Sequence, residues 1–152
     1  MQRSPNVLDD VDRAIIERLQ ADGRAPYTRL ATAVGLSEAA VRQRVQRLID
    51  AGVMQVVAVT NPLSVGYRRM AMIGVRTEGP SDGIAATLQA MPDIDYLVVT
   101  AGSFDLLCEV VVSDDRSLLD LTNRIRGVEG VVSTETFIYL DLVKQTFTWG
   151  AH

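Results

Sequence analysis

Ala31, Gly35 and Val41 constrain this chain more tightly than any other trio of residues. They stand four and six positions apart. Two short helices that cross steeply need a small residue where they touch, a turn residue that tolerates positive φ, and a branched apolar anchor on the second helix. The flanking apolar stripes agree. Leu30, Ala31 and Val34 line one side of a short helix over about 27–34, and Val41, Val45 and Leu48 line one side of a helix ending near Asp50. Ser37 is a suitable N-cap for that second helix, and Glu38 in its first turn suits the helix dipole. Gly52 stops it. Upstream, Leu8, Val11, Ile15 and Leu19 form the stripe of an earlier helix that Asp9 or Asp10 can start and Ala21-Asp22-Gly23 ends. Residues 53–59 (V-M-Q-V-V-A-V) predict a short strand. Residues 1–59 therefore read as a winged helix-turn-helix domain with its motif at 27–51. A generic helical hairpin is the competing reading.

The period of the pattern changes near residue 60. Residues 60–68, which include T-N-P-L-S-V-G, read as a linker, and 69–152 as a second domain. Its predicted strands are Met70–Arg76, Tyr96–Thr100, Leu106–Val112 and a long last one, Val131–Val143. One predicted helix starts at Ser81 as N-cap, buries Ile84, Leu88 and Met91, and stops at Pro92; the other spans about Arg116–Arg126. The order βαββαβ is the ferredoxin-like motif, an antiparallel sheet with helices on one face. The fold class is α+β.

Charge divides along the same boundary. The formal net charge is −4, yet residues 1–60 carry +1 and residues 61–152 carry −5. With Val41, Val45 and Leu48 inward, the second motif helix turns Glu38, Ala39, Ala40, Arg42 and Gln43 outward, with Ser37 at its start and Arg44 and Arg47 further along. In a major groove, Arg pairs with guanine O6 and N7, Gln with adenine, and Glu accepts from cytosine N4. Arg24, Tyr27, Thr28 and Arg29 are placed for phosphate contacts. Arg42 is the first choice for base reading. Arg44 has two readings, a phosphate contact or a tie to a carboxylate within the domain.

Other classes find little support. The one histidine is His152, and the sequence offers no metal-ligand cluster, phosphate-binding glycine loop, or Cys–His or Ser–His pair, so no enzyme is expected and no cofactor. A protein-docking module remains the rival to a DNA binder. No apolar run nears the roughly 18 residues of a membrane span. Residues 1–7 lack the apolar core of a secretory signal, and Cys108, alone, has no disulfide partner. A cytoplasmic protein with a buried structural thiol is expected.

The chain resembles the Lrp/AsnC (leucine-responsive, feast/famine) family of prokaryotic transcription regulators. The resemblance rests on L-D-D-V-D-R-A-I-I-E-R-L-Q-A-D-G-R (Leu8 to Arg24), L-A-T-A-V-G-L-S (Leu30 to Ser37), V-R-Q-R-V-Q-R-L-I-D-A-G-V-M (Val41 to Met54), N-P-L-S-V-G-Y (Asn61 to Tyr67), T-A-G-S-F-D-L-L (Thr100 to Leu107) and T-E-T-F-I-Y-L (Thr134 to Leu140). It implies a transcription regulator that binds double-stranded DNA through the first domain. It implies a second domain, called RAM, that binds a free amino acid between dimers and assembles homodimers, commonly into octamers. The loop between the second and third strands of that domain lines the effector cleft, and its Gly and Asp correspond to Gly102 and Asp105 here. Thr100, Ala101, Gly102, Ser103, Phe104 and Asp105, with Thr134 and Thr136 on the last strand, are the expected effector residues. Gly102 would let the backbone turn and present bare N–H groups to a carboxylate, and Asp105 would meet an ammonium group. Read without the resemblance, 101–105 is a hairpin with a glycine at its bend.

Overall fold

The computed structural model describes residues 8–151; the expectations for residues 1–7 and for His152 lie outside them. The chain separates into two compact units.

The first unit is built on three helices, α1 (Asp10–Ala21), α2 (Tyr27–Val34) and α3 (Glu38–Asp50). Asp9 and Asp12 form a reciprocal cap at the start of α1, where the Asp12 amide donates to Asp9 Oδ1 at 2.8 Å. Gly35 ends α2 in the left-handed region, with φ 70°, which is what a turn this tight demands of its residue. Ser37 Oγ accepts from the Ala40 amide at 3.2 Å and so starts α3. Ile15, Leu30, Ala31, Val41 and Val45 fill the core. Each lies on a stripe legible in the sequence, except that α1 also buries Ile16 and, unexpectedly, Asp12.

Two expectations need correction here. Residues 53–59 form no strand, and the unit is a plain three-helix motif with no wing among its described residues. A strand exists only by pairing, and in one chain these residues have no partner edge; Val56, Val57 and Val59 are exposed. The tail 144–151, expected in the second domain, belongs by its contacts to the first unit, where the Gly150 amide donates to Gln20 Oε1 at 3.0 Å.

The second unit runs from Thr60 to Val143 and so takes in the expected linker, which holds a single 3-10 turn at Pro62–Ser64. Its strands are β1 (Arg69–Thr77), β2 (Ile94–Val99), β3 (Leu106–Val112) and β4 (Val131–Ile138); its helices are α4 (Asp82–Gln89) and α5 (Asp115–Arg126). All strand pairs are antiparallel and the sheet order is β2-β3-β1-β4, as the ferredoxin-like motif requires. Ala71, Ile73 and Val75 of β1 and Leu106, Cys108 and Val110 of β3 pack beneath Ile84, Leu88, Leu121 and Ile125 of the two helices. That alternation buries one face of the sheet. The last strand stops at Ile138 rather than Val143, although the Tyr139 amide still bonds to Met70 O. Ser81 precedes α4 without a side-chain cap, because its backbone is already helical at φ −84° and ψ −6°.

Candidate nucleic-acid interface

The outward side of α3 is a shallow open groove lined by Ala39, Arg42, Gln43, Gln46, Arg47 and Asp50. The buried stripe Val41, Val45 and Leu48 fixes this orientation, since those three side chains lock the helix against α1 and α2. Ser37, Glu38, Ala39, Arg42 and Gln43 are exposed and Ala40 is half-buried. Gln46 was not singled out by sequence; it stands on the same side and donates to Asp50 Oδ1 at 2.8 Å.

The three arginines of α3 take different roles. Arg42 donates to Glu38 Oε1 at 2.7 Å and its guanidinium carbon lies 4.8 Å from the centroid of the Tyr27 ring. Arg44 reaches back to α1, donating to Asp9 Oδ2 at 2.6 Å and Asp12 Oδ1 at 2.8 Å. Arg47 also engages Asp12. The hydrogen bond from Arg44 holds the Asp9 carboxyl below the usual carboxylate range, and Asp9 in turn raises the Arg44 guanidinium above its ordinary value. Of the two readings left open for Arg44, the carboxylate tie is the one the structure makes. Arg24, Thr28 and Arg29 are exposed, and the side chains of both arginines make no ion pair among the described residues. Tyr27 is half-buried against the core and serves Arg42 as a ring to lie on.

The loop after β2 departs from its expected geometry. Gly102 has no positive φ, and a Cβ added there would meet nothing, so no special backbone requirement operates at that glycine. Asp105 is committed to the fold: its Oδ2 accepts from the Thr77 amide at 2.7 Å and its own amide donates to Val75 O. Thr100 Oγ1 donates to Phe104 O at 2.5 Å, which closes the loop on itself. Ala101, Gly102 and Ser103 are exposed. The glycine that matters is Gly74 on β1, which sequence reading passed over. A Cβ there would lie 2.6 Å from the Phe104 ring, which also meets Phe137 edge-on at 6.1 Å and carries Arg76 at 5.4 Å. Thr134 and Thr136 pair opposite Val75 and Ile73, so they share the helix-covered face, where Thr134 Oγ1 accepts from Arg126 Nε at 2.8 Å. Phe104 lies against Gly74 on the other face. One chain therefore does not bring the loop and the two threonines into one pocket.

A helix-turn-helix with exposed Arg and Gln on its second helix, joined to a separate α+β domain, defines a DNA-binding regulator with a second module. Family comparison agrees. An AsnC-type helix-turn-helix domain matches residues 8–49, and the Lrp/AsnC ligand binding domain matches residues 70–149. The chain belongs to the Lrp/AsnC family of transcription regulators. It is 38% identical over 134 residues to the HTH-type transcriptional regulator LrpA of Mycobacterium tuberculosis, covering 86% of this chain and 89% of that protein. It is 32% identical over 142 residues to the HTH-type transcriptional regulator FL11 of Pyrococcus furiosus, covering 92% and 94%. Among solved structures it is similar to the feast or famine regulatory protein of M. tuberculosis complexed with L-methionine, with a TM-score of 0.80, 36% identity, and coverage of 91% and 95%.

Proposed function

We propose that this regulator reads operator DNA through the outward side of α3 as a cytoplasmic homo-oligomer, with a free amino acid as its effector. The observation that carries the reading is the division of α3: Val41, Val45 and Leu48 are buried while Arg42 and Gln43 stand exposed on the opposite side. Arg42 and Gln43, flanked by Glu38, Ala39 and Ala40, meet base edges, and Ser37 brings the start of the helix close to the DNA backbone. Arg24, Thr28 and Arg29 meet phosphates. Arg44 and Arg47 hold α3 to α1 through Asp12.

Oligomers place several such helices on one DNA. The exposed valines of 53–59 and the sheet face opposite the helices are apolar surface that a second copy would cover. A dimer, and an octamer of four dimers, follow the family's pattern. An amino-acid effector is supported by the ligand-binding-domain match and by the relative complexed with L-methionine. Because Phe104 and the pair Thr134 and Thr136 face opposite sides of the sheet, a pocket using both sets is one formed between copies.

Footprinting on the DNA upstream of the protein's own gene tests the reading. Protected half-sites spaced by whole helical turns are expected. Uniform coverage without protected sites contradicts it. Calorimetry with the twenty amino acids, on free and DNA-bound protein, tests the effector; no heat of binding in any case removes it.

A further inference from the structure

Arg42 is held from two sides. Nη2 donates to Glu38 Oε1, and the guanidinium lies over the Tyr27 ring. Tyr27 opens α2 and is anchored in the three-helix core, so the ring is a fixed plate. Glu38 opens α3, four residues before Arg42 on the same side of the helix. The Arg42 and Glu38 side chains remain 62% and 45% exposed, so their pairing adds little to stability. Its consequence lies in what it presents to DNA.

The geometry points to Glu38 as a specificity-determining residue and to Tyr27 as a positioning residue, which together preset Arg42 as a guanine reader with a charge filter beside it. This rests on the proposed role of α3 in reading DNA. A preset arginine loses less side-chain freedom on binding than a free one. Its fork uses one edge for guanine O6 and N7, leaving another for Glu38. The carboxylate can only accept hydrogen bonds. In the major groove it is satisfied by the amino groups of cytosine or adenine, and it is repelled by guanine O6 and N7, by thymine O4 and by phosphates. Glu38 therefore weakens binding to DNA in general and penalises the wrong neighbour most, which is discrimination by repulsion.

Glu38→Gln keeps the shape and removes the charge. The test is selection from a duplex pool of randomised sequence, followed by isotherms across a salt series. The wild type should select guanine beside a base that offers an amino group. Glu38→Gln should lose the preference at that neighbour and bind random duplexes more tightly, on the order of threefold to tenfold. Its plot of log K against log salt should steepen by about 0.9, as the Glu38 charge that offsets one cation is lost. Tyr27→Leu, which removes the ring under Arg42, should blur the guanine preference. An unchanged motif and salt slope for Glu38→Gln overturns the inference while DNA reading stands. An unchanged motif for Arg42→Ala overturns the reading by α3, and the inference with it.

Discussion

Arg47 donates through Nη2 to both carboxylate oxygens of Asp12, at 2.7 and 2.6 Å. Asp12 is 1% exposed, and Arg44 donates to it as well. A buried carboxylate is tolerated when its charge is met, and here two guanidinium groups from one helix meet it. The same contacts fasten α3 to α1. Two residues that charge alone would direct at DNA are thereby made structural.

Removing that carboxylate should loosen the whole unit. Asp12→Ala is expected to destabilise by about 2 kcal/mol, the loss of charged hydrogen bonds partly offset by the exposure of the arginines. Asp12→Asn should cost less, since the amide oxygen still accepts. Denaturant unfolding of the two variants measures this; equal stability to wild type would show that the cluster is ornamental.

Acid should act through Asp9. Its carboxyl is held below its ordinary value near 3.8, first by the hydrogen bond from Arg44. A group with a depressed folded pKa contributes stability that is full above the unfolded value and lost as pH falls through the folded one. Asp9→Asn keeps the helix cap and removes the charge. The stability gap between wild type and this variant should be full at neutral pH and narrow below 3.8. A gap that does not change with pH contradicts the assignment.

Gly74 should resist substitution. In Gly74→Ala the new methyl meets the Phe104 ring, which must leave Phe137 and Arg76 to make room. A cost of about 1–3 kcal/mol is expected, as for overpacking. In a Phe104→Ala background the same change should cost much less, and a double-mutant cycle reads the difference. Additive costs would mean the ring is not the obstacle.

Cys108 should be silent in the native protein. It is fully buried between the sheet and the helices, and burial pushes its thiol up from 9.0 to about 11. The folded pKa is raised, so its contribution to stability is full below 9.0 and declines as pH rises toward 11. Alkylation should follow unfolding, with no reaction of the folded protein at neutral pH. Rapid native labelling would refute this.

The helices were legible because each carries an apolar stripe of its own within about a dozen residues. Ser37, Gly35 and the Val41, Val45, Leu48 stripe delimit α3 without help from the rest of the chain. The βαββαβ order was legible from local alternation in the same way. What failed depends on partners distant in sequence. The valines of 53–59 have strand character but no edge to pair with in one chain. Nothing in the sequence signalled that Asp12 is buried, because its arginine partners on α3 lie 32 and 35 residues away. The need for glycine at position 74 shows only once Phe104, thirty residues on, folds against it. In the loop after β2, Gly102 drew notice through the resemblance, whereas the close approach occurs at Gly74.

The central claim is that α3 reads bases and that the start of α2 holds phosphates. Fluorescence anisotropy with a footprinted operator and an unrelated duplex, across a salt series, tests it with Arg42→Ala and Arg24→Ala. Arg42→Ala should weaken operator binding by about 1–3 kcal/mol and shrink the gap between the two duplexes. Arg24→Ala should weaken both duplexes alike and reduce the salt slope by about one contact. Equal effects of the two substitutions on both duplexes, or binding that ignores salt, would contradict the account.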